Sequence, residues 1–353
     1  MATSPIPSHD TVEGVDVERV GKWITDTIGG VAPPLSFELI AGGRSNLTYR
    51  VTDAEGRTFA LRRPPLSHVL PTAHDMAREY RVISALGPTV VPVPVTFGLC
   101  EDEGVNGRPF YVMEFVEGHI VRDAETAERE LDLDARRHAG ESLADTLAAI
   151  HSVDVDAVGL GDFAKRDGYI ERQLRRWYEQ FRNSAVEGVE TTTVITDIHD
   201  RLAADIPPQV GTAIVHGDYR LDNTVLGPDG AVRAVLDWEI CTLGDPLADL
   251  GLLMVYWTEA GDEAALLGVT PTTVPGFPRR DEICERYRAA SGRDLGRLGF
   301  YVAFGYWKLA CILQGVYARY VGGATAGDRS SVEGFATSIV RLAEMAQRML
   351  DDA

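Results

Sequence analysis

The most informative spacing in this 353-residue chain lies in His216-Gly217-Asp218-Tyr219-Arg220-Leu221-Asp222-Asn223, followed by Asp237-Trp238-Glu239. Asn223 comes five residues after Asp218, and Asp237 comes fourteen residues after Asn223. Short apolar segments surround these residues. Ala213–Val215, Thr224–Leu226 and Val232–Leu236 each read as a short strand. Taken singly, Asp218 and Asp222 would cap a turn and Asp237 would be an ordinary strand-end acid. Their combined spacing instead places two carboxylates and an amide on one β-rich island. Hard divalent cations take oxygen ligands, which Asp and Asn provide. Chemistry at a phosphoryl group needs such a cation because every reacting group is anionic. It also needs a further carboxylate to orient an attacking hydroxyl in line.

Composition removes several alternatives. Apolar residues make up 45% and charged residues 25%, the balance of a folded globular protein. With 34 Lys+Arg against 53 Asp+Glu, the formal charge is −19, which disfavours a nucleic acid polymer as partner. Cysteines 100, 241, 284 and 311 form no CxxC pair, so they read as buried free thiols in a reducing compartment. No basic segment followed by an apolar stretch opens the chain, so no signal peptide is expected. No apolar run nears the ~18 residues of a membrane span, and Leu247–Trp257 contains Asp249, so no membrane partner is expected and the cytoplasm is the expected location. The only Gly-Lys pair, Gly21-Lys22, precedes Trp23 and no P-loop is present. GxGxxG after a strand, HExxH and GxSxG are likewise absent.

Hydrophobic periodicity outlines two lobes in an α+β chain. A helix follows Asp16, with Val20, Trp23, Ile24 and Ile28 at helical spacing. Strands are expected at Leu35–Ile40, Asn46–Thr52, Arg57–Arg63, Val93–Leu99 and Phe110–Phe115, with a helix at Thr72–Leu86. From Gly118 helices dominate: Leu133–Ile150, Tyr169–Phe181, Thr192–Ala204, Pro246–Trp257, Arg279–Ala290, Leu298–Tyr320 and Val332–Leu350. The expected division is a nucleotide-binding lobe over 1–115, preceded by the N-terminal helix, and a helical lobe over 116–353 carrying the catalytic loop and the acceptor site. Asp245 and Asp249 are expected to cap and anchor a helix, and His151 to be structural.

HGDxxxxN followed by DWE resembles the aminoglycoside phosphotransferase and choline kinase group, which shares a bilobal protein-kinase-like fold: a small antiparallel β-sheet lobe with one helix, and a larger helical lobe. Gly217 after His216, in place of Arg, points to this small-molecule branch. The resemblance runs from about Leu35 to Tyr320. It implies that Asp218 accepts the acceptor's hydroxyl proton and that Asn223 and Asp237 hold Mg²⁺ against ATP or GTP. It also implies that Gly42-Gly43-Arg44-Ser45-Asn46 forms the phosphate-covering loop. Phe59-Ala60-Leu61-Arg62 aligns with the strand that carries the phosphate-binding lysine, so Ala60 and Arg62 share the nucleotide face. Arginine at that position departs from the wider group, although it keeps the charge and can fork onto phosphate oxygens. Glu79 is the expected partner of Arg62, and Arg63 faces away. Met113 is expected to line the base site, with the Glu114 and Val116 backbone bonding the base.

A narrower resemblance rests on Leu61-Arg62-Arg63-Pro64-Pro65, Arg78-Glu79-Tyr80-Arg81-Val82 and Val302-Ala303-Phe304-Gly305-Tyr306-Trp307-Lys308-Leu309. These resemble the kinase-like domains related to those joined to acyl-CoA dehydrogenases, a subgroup associated with hydroxy acids or their acyl thioesters; no length remains here for the dehydrogenase part. Arg172, Arg176, Trp177, Trp307 and Lys308 are candidate contacts for an anionic acceptor. The acidic stretch from Glu117 to Asp145 could instead suit a cationic aminoglycoside. Three functions therefore stand: a small-molecule kinase with a hydroxyl acceptor, an antibiotic phosphotransferase, and a non-catalytic nucleotide or metabolite sensor.

Overall fold

The computed structural model describes residues 12–41, 46–66, 75–184, 191–262, 270–321 and 330–352. The chain divides into two compact units. One is residues 1–117 with Asp237–Glu239; the other is residues 118–236 with 240–353. The sequence reading assigned Asp237–Glu239 to the helical lobe, but side chains of the first unit hold this segment.

The first unit contains α1 (Val17–Thr27), β1 (Ser36–Ala41), β2 (Leu47–Thr52), β3 (Thr58–Arg63), α2 (Met76–Leu86), β4 (Thr96–Cys100), α3 (Glu103–Asn106) and β5 (Phe110–Glu114). Asp16 caps α1 by accepting the Arg19 amide at 3.1 Å, as expected from its position. The strands form one antiparallel sheet in the order β1-β2-β3-β5-β4. Val20 and Ile24 of α1 pack with Tyr49, Val51, Phe59, Leu61, Phe110 and Val112 on one face. Each such buried side chain stabilises by roughly 1.5–3 kcal/mol. An exposed helix pair such as Lys22–Asp26 contributes about 0.3–0.5 kcal/mol, so packing holds this face together. The other face carries the candidate site residues. Ala60 lies opposite Met113, and Arg62 lies opposite Tyr111. Helix α2, capped by Asp75, packs on β4 and β5 and turns Met76, Glu79, Val82, Ile83 and Leu86 inward.

The second unit contains α4 (Ala124–Glu130), α5 (Leu133–His151), α6 (Tyr169–Asn183), α7 (Thr191–Ala204), β6 (Ala213–Val215), β7 (Thr224–Leu226), β8 (Val232–Val235), β9 (Thr242–Gly244), α8 (Leu247–Tyr256), α9 (Arg280–Ser291), α10 (Leu298–Val321) and α11 (Ser330–Asp351). The β-rich island consists of two short ladders, β6–β9 and β7–β8. Helix α8 is buried along its length from Leu247 to Val255, which explains its unbroken apolar sequence. It crosses α10 at Gly251, where a Cβ would stand 2.6 Å from the Tyr301 backbone.

The expected elements are present with shifted ends. Strand β4 begins at Thr96 rather than Val93, because Pro92 and Pro94 cannot donate to a ladder. Helices α3 and α4 and strand β9 were not anticipated; they have four, seven and three residues, too few to show a period. The four cysteines are free, as expected. No helix among the described residues is long and apolar enough to cross a membrane.

Candidate active site

Strand β6 leads directly into the loop beginning at His216. Asp249, fully buried on α8, anchors that loop: Oδ2 accepts the His216 amide at 2.6 Å and Oδ1 accepts the Gly217 amide at 2.8 Å. His151 Nε2 lies 3.3 Å from the same carboxylate, and its Nδ1 meets the Tyr287 hydroxyl at 2.8 Å. Burial pushes the Asp249 carboxyl up, but His151, His216 and the Gly217 amide more than offset this and leave it below its ordinary value. Gly217 has φ +88°, and a Cβ there would stand 3.0 Å from Ile240, so glycine is required after His216.

Alternate residues then point inward. The buried Tyr219 donates to Leu143 O at 2.9 Å, and Leu221 is also buried. This leaves Asp218, Arg220 and Asp222 partly exposed, with side chains 28%, 32% and 28% accessible. Asn223 ends a 3-10 turn at Leu221–Asn223 and donates through Nδ2 to Asp218 O at 2.8 Å and to Asp218 Oδ2 at 2.9 Å. The β7–β8 hairpin starts at the next residue. Leu236 donates to Asn223 O at 2.8 Å, and Asp237 follows Leu236 in the chain. Arg220 was not singled out from the sequence. It reaches Asp218 at 3.6 Å and Asp222 at 3.3 Å, and its guanidinium lies 4.7 Å from the Tyr256 ring centroid.

In the first unit, Arg62 Nε donates to Glu79 Oε2 at 3.0 Å and its Nη2 contacts Asp237 Oδ1. Glu79 Oε1 accepts the Trp238 amide at 3.2 Å, which holds the Asp237–Glu239 segment on this unit. Asn46 Nδ2 donates to Glu239 Oε2 at 3.0 Å. Three carboxylates thus act on one guanidinium. Burial alone would lower the Arg62 value, but Glu79, with Tyr111, Asp237 and Glu239, raises it above its ordinary range. Burial pushes Glu79 up to about 7; Arg62 opposes this, and Asp237 and Glu239 add to it. Asp237 itself sits in the left-handed region at φ 64°, a conformation that costs energy for a non-glycine residue and directs its carboxylate toward Arg62.

The remaining sequence candidates fall into distinct places. Gly43, Arg44 and Ser45 lie outside the described residues. Ala60 and Met113 sit buried beside Arg62 on the same sheet face. The Glu114 amide donates to Val95 O at 2.7 Å, so it cannot donate to a base. The Val116 amide has no hydrogen bond among the described residues. Arg172 bonds the carbonyls of Asp167 and, at 2.8 Å, Lys165, and so closes the loop that precedes α6. Trp307 is fully buried and donates to Ile195 O at 3.0 Å, which makes it a core residue rather than an acceptor contact. Arg176 and Lys308 both approach the Trp177 ring.

The donor set fits a magnesium ion. Both Asn223 amide hydrogens are used on Asp218, which leaves Oδ1 without a protein donor among the described residues. The carboxylates of Glu79, Asp237 and Glu239 all act on Arg62. Among the described residues no cluster of three or more His, Cys, Asp or Glu could hold a metal ion. A cation sharing its coordination with phosphate oxygens and one or two protein carboxylates matches such a sparse set.

Comparison with known proteins shows the family. Residues 36–283 match the model of the phosphotransferase enzyme family. Acyl-CoA dehydrogenase family member 10 of Mus musculus is 36% identical over 320 residues, covering 89% of this chain and 29% of the mouse protein. The chain spans less than half the length of the curated relatives it matches. A Ralstonia eutropha protein provisionally called an aminoglycoside phosphotransferase is 34% identical, with TM-score 0.81 and coverage of 96% and 99% of the two chains. A choline/ethanolamine kinase family protein from Mesorhizobium loti shares the fold at TM-score 0.60 and 16% identity, over 96% and 99% of the two chains. The bilobal kinase-like architecture and the residues 36–283 match together establish that this chain belongs to the phosphotransferase enzyme family.

Proposed function

We propose that this chain is a small-molecule kinase that moves the γ-phosphoryl group of ATP or GTP to a hydroxyl of a small acceptor, best a hydroxy acid or a hydroxyacyl thioester. The observation that carries this reading is the Asn223 side-chain amide, which donates once to the Asp218 backbone carbonyl and once to the Asp218 carboxylate, while its own oxygen has no protein donor among the described residues. Asp218 accepts the acceptor's hydroxyl proton. The acceptor oxygen forms the new bond to phosphorus, and the bond from phosphorus to the nucleoside diphosphate oxygen breaks. Asn223 and Asp237 would hold Mg²⁺, which supplies charge neutralisation to the phosphate oxygens when bound. Arg62 binds the donor phosphates and Glu79 orients it. The Val116 amide, without a protein acceptor among the described residues, would serve the base.

The acceptor class draws support from the curated relatives, whose names link chains of this kind to acyl-CoA chemistry. A cationic antibiotic acceptor is the second reading, favoured by the name given to the Ralstonia protein. The cations Arg176 and Lys308 weigh against it. A panel of hydroxy acids, acyl thioesters and aminoglycosides, followed by nucleoside diphosphate release, tests the reading. Asp218→Asn should abolish release; full turnover in that variant would contradict the proposed role.

A further inference from the structure

Helix α10 is buried and apolar around Lys308: Trp307, Leu309 and Ala310 are all enclosed. Lys308 itself is only 6% exposed. Its ammonium donates to Gly217 O at 3.1 Å, one residue before Asp218. An ammonium carries three donors, and among the described residues this is the only hydrogen bond Lys308 makes. No carboxylate lies within ion-pairing distance of Nζ among the described residues. Asp249 and Asp218 are the acids that act on it from further away. Nζ stands 5.7 Å from the centroid of the Trp177 ring. The guanidinium of Arg176 stands 5.2 Å from the same centroid, and Arg176 is exposed with no ion pair among the described residues.

Bracing Gly217 does not account for this arrangement. A neutral donor of the same reach would hold the carbonyl without burying a charge, and a buried unpaired ammonium is costly. Burial pushes the Lys308 ammonium below its ordinary value; Asp249 and Asp218 oppose the shift, and Arg176 adds to it. A bound anion would satisfy the spare donors of Lys308 and offset the repulsion it feels from Arg176.

We propose that Lys308, with Arg176 on the same Trp177 ring, determines acceptor specificity by receiving a carboxylate of the acceptor, whose hydroxyl is presented to Asp218. This rests on the phosphotransferase reading above and narrows it to hydroxycarboxylates over neutral and cationic alcohols.

The test measures phosphorylation of a short hydroxycarboxylate and of its primary amide by wild type, Arg176→Ala and Lys308→Gln. The thermal shift given by Mg-nucleotide serves as control for folding and nucleotide binding. Wild type should favour the acid by at least about tenfold in kcat/KM, the scale of one charged hydrogen bond. Arg176→Ala, an exposed position, should raise KM for the acid by about tenfold with little change in kcat. Lys308→Gln should bring acid and amide close to parity while keeping the nucleotide-induced shift. Equal use of acid and amide by wild type would overturn this inference alone, as would an acid preference intact in both variants. Turnover of neither compound above the Asp218→Asn background would overturn it together with the phosphotransferase reading.

Discussion

Arg62 is shared between Glu79 and Asp237. A planar guanidinium can face two carboxylates at once, which a compact ammonium does less well. Arg62→Ala would leave the buried Glu79 carboxylate without its cationic partner, and breaking such a pair costs about 3–5 kcal/mol. Urea unfolding should register that loss, and nucleotide binding should weaken with it. The raised Glu79 value gives a second expectation. A carboxyl whose folded value lies above its unfolded one stabilises fully below the unfolded value, and that contribution is lost as pH rises through the folded value of about 7. Stability of the wild type should therefore fall between about pH 5 and pH 7.5 relative to Glu79→Gln. Denaturation midpoints across that range check it, and parallel curves for the two proteins would contradict the assignment. At this scale the motif spacing marked the candidate residues but not their support. The spacing of Asp218, Asn223 and Asp237 and the pairing of Arg62 with Glu79 were readable from motif positions. The Asp249 bonds to His216 and Gly217 were not, since they join residues more than thirty positions apart. Trp307 misled because an aromatic on a helix looks the same from sequence whether it lines a pocket or fills a core.

Strand and helix positions follow from the same local rules. The alternation of β3 puts Phe59 and Leu61 into the core and Ala60 and Arg62 on the face that carries the candidate site, so one six-residue strand serves both faces. Helix α8 carries Asp249 to the catalytic loop, and its position depends on the close crossing with α10 at Gly251. Gly251→Ala would push a methyl group against the Tyr301 backbone, which should destabilise by about 1–3 kcal/mol. A lowered thermal midpoint, with faster hydrogen exchange at His216 and Gly217, would show that the crossing supports the loop. Unchanged exchange would separate the two. Sequence periodicity found the long helices because their apolar faces repeat over several turns. It lost α3, α4 and β9, which are too short to repeat, and it overextended β4 across two prolines.

For the whole molecule, ligand linkage gives the plainest expectation. Mg-nucleotide at a hundredfold its Kd should stabilise the folded chain by about 2.7 kcal/mol, and chelating the metal should remove most of that gain. The first unit holds Arg62, Glu79 and Asp237, and the second holds Asp218 and Asn223. The kinase-like architecture was legible because a sheet-rich segment gives way to a helical one near Gly118, with a short β-rich island around the motif. The acceptor was not legible at that scale, since acceptor choice rests on a few side chains rather than on the fold. The central claim is transfer of phosphorus to a hydroxyl. Its most direct test is to incubate the protein with nucleoside triphosphate labelled at the γ-phosphorus and a hydroxycarboxylate, then locate the label. The label should appear on the acceptor's hydroxyl oxygen in wild type and stay in the nucleotide with Asp218→Asn. Label found only as inorganic phosphate, or transferred equally well by both proteins, would contradict the account.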